Sequence, residues 1–206
     1  MAVFKETNKK IKKNHIKSIS LIKNNKKQKT KVKNMKILIA YHSGTGNTEK
    51  IAKSMKEGLV EEDQDVTMLS AKDVDPSSLK SYNLVILGSG IYGGAIGKTM
   101  KSLMSKVTEF APKFAFFNTH ASPTAYQKAF SRIGKTIEKN NSVVLGEFDC
   151  IGENIGIPKE KQIEMLSMLP ADQQKKAKEH MEKIKGRPND KDLEKAKEFA
   201  KSLLNK

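Results

Sequence analysis

One short run carries the clearest chemistry in this chain: His42, Ser43, Gly44, Thr45, Gly46, Asn47 and Thr48. It follows an apolar stretch and opens into a helical pattern. Gly44 and Gly46 remove side chains, so backbone N–H groups can come close to a ligand. Ser43, Thr45 and Thr48 add hydroxyls. A helix beginning here adds the partial positive charge of its N-terminus. The chemistry this combination suits is phosphate binding. An ordinary strand-to-helix turn explains Thr48 as a cap and one glycine. It does not explain three hydroxyls and two glycines within six residues.

Two further runs also follow apolar stretches. Gly88, Ser89, Gly90, Ile91, Tyr92, Gly93 and Gly94 place four glycines around one aromatic ring. That composition suits backbone wrapped closely around a flat ligand, with Tyr92 against its face or edge; the alternative is an empty glycine loop. The G-x-G-x-x-G spacing from Gly88 to Gly93 is not read as a dinucleotide fingerprint, which belongs after the first strand. Gly97, Lys98 and Thr99 imitate the end of a P-loop, but Tyr92 stands where that motif needs its first glycine. Asn118, Thr119 and His120 offer polar groups that could hydrogen-bond a heteroaromatic edge, a weaker signal on its own.

Elements must bring these runs together. Residues 36–41 and 83–88 are continuous apolar runs, as strands covered on both faces require. Residues 65–69, 113–117 and 142–148 supply three more strands. Between them lie helical patterns: Ile51, Ala52, Met55 and Leu59; Met100, Leu103, Met104 and Val107; Tyr126, Ala129, Phe130, Ile133 and Ile137. Residues 153–188 are polar, with helical pieces around 163–169 and 171–184 divided by Pro170. A last helix carries Leu193, Ala196, Phe199, Ala200 and Leu203. Alternating strands and helices predict an α/β fold, a doubly wound three-layer sandwich around a parallel sheet. Ligands of such folds sit at the carboxyl ends of the strands.

Composition narrows the classes. The chain has 206 residues and a net charge of +16. Residues 1–34 hold twelve lysines and one acid, Glu6, which leaves +5 for residues 35–206. The division is therefore a basic tail, 1–34, and a domain, 35–206. The tail buries too little apolar surface to offset its ordering entropy and is read as disordered. It is an arm for anionic surfaces, a solvated tail, or the product of a start site upstream of Met35. Only Arg132 and Arg187 are arginines, and lysine reads bases poorly, so no specific nucleic-acid binding is expected. One cysteine, Cys150, excludes an internal disulfide framework and argues for a reducing compartment, the cytoplasm. Its expected role is that of a small buried hydrophobe. No transmembrane segment, secretory signal or metal-ligating Cys/His spacing is present in the sequence.

The three runs together resemble the flavodoxin family. Residues 43–48 are similar to its phosphate loop, and residues 88–93 look like the ring-binding loop of its long-chain branch. Residues 148–152 and 187–193 also resemble a flavodoxin-like branch. The resemblance covers residues 35–206 and implies a five-stranded parallel sheet of order 2-1-3-4-5 and FMN as cofactor. It implies that Ser43, Gly44, Thr45, Gly46, Asn47 and Thr48 hold the FMN phosphate. Ser89, Gly90, Ile91, Tyr92 and Gly93 would line one side of the ring; Asn118, Thr119 and His120 would meet the other side or the pyrimidine edge. The expected function is electron transfer through bound flavin to a redox partner protein or a small-molecule acceptor. The alternative is a flavin-dependent oxidoreductase acting on a quinone or protoporphyrinogen-type substrate. The chain departs from acidic carriers in being basic and in lacking tryptophan.

Overall fold

Apolar residues that alternate across each strand build two cores, one on each face of a single sheet. A computed structural model describes residues 34–206; the basic tail before Asn34 lies outside the described residues. The parallel strands are β1 (Lys36–His42), β2 (Asp65–Ser70), β3 (Leu84–Tyr92), β5 (Lys113–His120) and β6 (Val143–Ile151). They lie in the order β2-β1-β3-β5-β6. Counting only the parallel strands, this is the expected 2-1-3-4-5 order. A sixth strand, β4 (Ala95–Ile96), folds back antiparallel on β3.

Ile37, Ile39, Leu84, Ile86, Ala115, Phe117 and Cys150 point to one face. There they meet α1 (Asn47–Glu61) and α6 (Asp190–Ser202). Leu38, Ala40, Val85, Leu87, Phe114 and Phe116 point to the other, against α2 (Lys98–Lys106) and α3 (Ser131–Lys139). Met100 and Met104 are core residues of α2, and Cys150 is buried among the α1/α6 set. Between β6 and α6 lie α4 (Lys159–Ser167) and α5 (Ala171–Ile184), with Pro170 at the entry to α5. Every side chain of α4 remains at least partly exposed.

The structure revises the local reading at four places. Thr48 is not the cap of α1; Gly46 is, at φ 93°, and no side chain caps that helix. A left-handed φ is a conformation that glycine adopts without steric cost. Gly88–Tyr92 is not loop but the continuation of β3, paired with β1 as far as Ser89 and with β5 as far as Gly90. Gly88 has to lack a side chain there, because a Cβ would sit 1.9 Å from the Phe117 ring. The true turn is Gly93–Gly94, both at positive φ, between Tyr92 and its partner Ala95. Asn118–His120 likewise belongs to β5. The apolar pattern from Tyr126 does not begin a helix. Tyr126 and Phe130 instead stack on His120 and Phe116, and α3 starts at Ser131.

The register sets the carboxyl edge. His42 lies beside Ser89, Ser89 beside Asn118, and Asn118 beside Asp149. The three chemically suggestive runs therefore reach the same level of the sheet.

Candidate functional site

The first wall of the site is the uncapped start of α1. Ser43 Oγ accepts the Gly46 N–H at 3.0 Å and fixes the loop curvature. Without a side-chain cap, the first-turn amides of α1 keep their donors for an anion. Thr48 is buried and its hydroxyl meets Thr119 Oγ1 at 2.7 Å. In such a pair one hydroxyl donates to the other, which leaves one proton for a ligand. The Asn47 side chain turns across the site and donates to the Glu153 carbonyl at 2.9 Å.

The second wall is the end of β3. Ser89 is fully buried, donates to Gly90 O at 2.7 Å and accepts the Gly97 N–H at 2.8 Å. It therefore holds the backbone of this wall and does not itself reach the cleft. Tyr92 is 46% exposed. Its hydroxyl accepts the Gly44 N–H at 2.9 Å, and its ring meets His42 edge-on with centroids 5.6 Å apart. A Cβ on either Gly44 or Gly90 would lie 2.8 Å from the Tyr92 hydroxyl. Burial holds His42 below the ordinary imidazole range.

The third wall is the end of β5. Thr119 pairs with Thr48 as described. His120 is buried, with Nδ1 at 2.6 Å from Ser122 O and Nε2 at 3.3 Å from Asp149 Oδ2. The Tyr126 ring lies parallel to it, centroids 3.7 Å apart. Asn118 does not join this wall. It donates to Glu147 Oε1 at 2.9 Å, and its own carbonyl oxygen is buried without a partner. Burial raises Glu147 above the usual carboxyl range, against the opposing effect of the Asn118 bond.

A fourth wall escaped the sequence reading. Gly152, Glu153, Asn154, Gly156 and Ile157, just after β6, face the first loop. Gly152 packs on the Asn47 amide, where a Cβ would be 2.7 Å from Nδ2, and Gly156 packs on Thr45. The signal was available, since these residues follow a strand as the other three runs do. Their polar, glycine-containing composition resembles any connection, and nothing local marks them.

The walls enclose a cleft of about 700 Å³. It is lined by Gly44, Thr45, Asn47, Thr48, Gly90, Ile91, Tyr92, Gly93, Thr119 and His120, together with the fourth wall. Ser43, Gly46, Ser89 and Asn118 support it from behind. A volume of this size suits a cofactor-sized ligand. The donor set fits a phosphate at one end. The close-packed glycines and Tyr92 fit a flat ring system beside it. These are the two halves of FMN.

Comparison with known proteins agrees. The family model described as "Flavodoxin domain" matches residues 38–201. The chain belongs to the flavodoxin family. FMN is that family's cofactor. The match does not distinguish a long-chain branch. An uncharacterized protein of Methanocaldococcus jannaschii is 31% identical over 82% of this chain and 99% of its own. A flavodoxin-like domain-containing protein, BilS, of Clostridioides difficile is 30% identical over 84% of this chain and 98% of its own. Among solved structures, Flavodoxin 2 of Bacillus cereus superposes with a TM-score of 0.58 at 21% identity, over 82% of this chain and 98% of that one. That likeness shows the flavodoxin fold. Among the described residues, no helix is long and apolar enough to cross a membrane.

Proposed function

We propose that the cleft binds FMN and that the protein passes electrons between this flavin and a partner protein. The observation that supports the reading is the start of α1, capped by Gly46 with no side-chain hydrogen bond, opening into a cleft walled by three other strand ends. Bound FMN supplies redox chemistry in one- or two-electron steps, and the chain supplies binding, orientation and electrostatics. The Thr45 hydroxyl and the amides of Thr45, Asn47 and Thr48 hold the phosphate, on a loop whose curvature Ser43 fixes. Gly90, Ile91, Tyr92 and Gly93 line one side of the ring, and Thr119 and His120 the other. Ser89 and Asn118 act from behind these walls, through backbone and strand geometry.

A protein partner is supported by the margin of the cleft. Ile155 within the fourth wall, and Ile163, Met165 and Met168 in the segment of chain that follows it, are each more than half exposed, apolar side chains that suit docking. The +5 charge of residues 35–206 favours an acidic partner. The free, buried Cys150 is consistent with the cytoplasm.

A second cavity, of about 440 Å³, supports the enzyme reading. It shares Tyr92 with the cleft and is lined by His42, Lys98 and Lys101. A quinone or a carboxylate-bearing, protoporphyrinogen-type substrate would suit those walls. The test is the visible spectrum of the FMN-loaded, desalted protein, followed by reductive titration and by assay with quinone. Retained flavin confirms the cofactor, and loss of flavin from a folded protein sinks both readings. Fast quinone turnover selects the enzyme; its absence, with two resolved reduction steps, selects the carrier.

A further inference from the structure

We infer that the second cavity is a carboxylate site, and that it selects flat, apolar substrates bearing an acid group over uncharged ones such as quinones. The inference rests on the enzyme reading above for the ligand's being a substrate; the site itself is formed by the chain alone.

Three pieces of chain meet there. The end of β1 gives His42, the β3–β4 hairpin gives Tyr92, Ala95 and Ile96, and the start of α2 gives Lys98 and Lys101. The floor is apolar: Ile96 is only 4% exposed and lies beside Ala95 and the Tyr92 ring. Such a floor adds contact area for a ring system and nothing for an inorganic anion. Its position is fixed. Ala95 and Ile96 pair with Tyr92 and Ile91, and Ser89 Oγ accepts the Gly97 N–H at 2.8 Å. The His42 ring is wedged under Gly97, where a Cβ would lie 1.9 Å from it.

The rim is cationic. Lys98 and Lys101 stand three positions apart and so are neighbours on α2. Neither has an acidic partner among the described residues, and no acid lines the cavity. The groove between α1 and α6 also gathers lysines, but there Glu57, Asp190 and Glu194 stand among them. The first turn of α2 holds no acid either. Two like charges thus sit together, at the helix end that disfavours them. A carboxylate between them relieves both penalties. His42 has no hydrogen-bond partner among the described residues, and an imidazole in either protonation state keeps an N–H to donate. A quinone carbonyl could accept that N–H, but it leaves both ammonium groups uncompensated.

The experiment titrates the full chain, with and without FMN, with naphthoate and with its uncharged twin naphthamide, and follows the Ile96 methyl and His42 ring signals by NMR. Naphthoate should move both signals saturably and bind about tenfold more tightly than naphthamide. Lys98→Gln and Lys101→Gln should each weaken naphthoate about threefold, and the double variant about tenfold, with naphthamide unchanged. Both lysines are exposed, so these variants keep the fold. Equal binding of the two probes, an unaltered naphthoate affinity in the double variant, or saturation that leaves Ile96 and His42 unmoved overturns the site. Displacement of naphthoate by an equal concentration of inorganic phosphate overturns the selection for apolar acids. A chain that binds naphthoate as expected but retains no FMN refutes the flavin reading and the substrate role, while the carboxylate site stands. Retained FMN without naphthoate binding refutes the site alone.

Discussion

Thr48 and Thr119 lie 71 positions apart, yet their hydroxyls meet inside the protein. Replacing Thr48 with Val leaves the Thr119 hydroxyl buried and unpaired. That should cost about 1–3 kcal/mol of stability by urea unfolding, with part recovered when Thr119→Val is added. Gly46→Ala forces an alanine to φ 93°. It should weaken FMN binding by tenfold or more, measured by flavin fluorescence quenching, because the first-turn amides shift with the strained loop. Cys150 makes the opposite point, that a reactive residue type can be inert. Burial, aided by the Asp192 charge, pushes its thiol up to about 12. Alkylation at pH 8 should therefore be no faster than global unfolding; a rapid reaction in the folded protein would refute this. The backbone demands of the first loop were legible where they were local, as at Gly44 and Gly46. What Thr48, Asn47, Ser89 and Asn118 touch was not, because each is bound by a partner supplied by tertiary structure.

At the level of elements, hydrophobic periodicity located every parallel strand, and it missed how far β3, β5 and β6 run. β3 and β5 run on past their apolar cores into Gly90 and Thr119, since pairing with neighbours decides strand length and side-chain type does not. The helix pattern beginning at Tyr126 failed for a related reason, as its aromatic rings serve stacking on β5. The last helix was legible from its apolar pattern from Leu193 onward, and the structure shows what starts it at Asp190. Asn189 and Asp192 form a reciprocal cap, and Arg187 grips the buried Asp192 carboxylate with two N–H groups. Burial alone would raise the Asp192 carboxyl, but the Arg187 bond, the Asn189 N–H and the nearby cations hold it below the ordinary range. A depressed folded-state value stabilises the protein above the unfolded value of about 3.9. The contribution is lost as pH falls through the folded value. Acid unfolding should thus steepen below about pH 4, and Asp192→Asn should flatten that limb while lowering stability at pH 7.

Among the described residues, the core and the exposed apolar side chains of α4 lie in different parts of the fold. The two sheet faces hold the core, whereas α4 contributes no buried side chain. Ile163 is 64% and Met168 73% exposed. Ile163→Glu and Met168→Glu should each change the unfolding midpoint by less than the equivalent of about 0.5 kcal/mol. A larger loss would show that α4 is part of the fold and not a surface kept apolar for another molecule.

A line of bonds ties the first loop to the last helix. The Asn47 amide donates to Glu153 O, the Glu153 N–H donates to Arg187 O, and the Arg187 guanidinium holds Asp192. In a chain made from its N-terminus, the first loop, residues 43–48, is among the first segments of the domain to leave the ribosome. The support that closes the cleft behind it is complete only when residue 192 has emerged. The nascent protein must thus form most of its sheet before its cofactor site exists, and a chain truncated before α6 would carry the binding residues without the binding site.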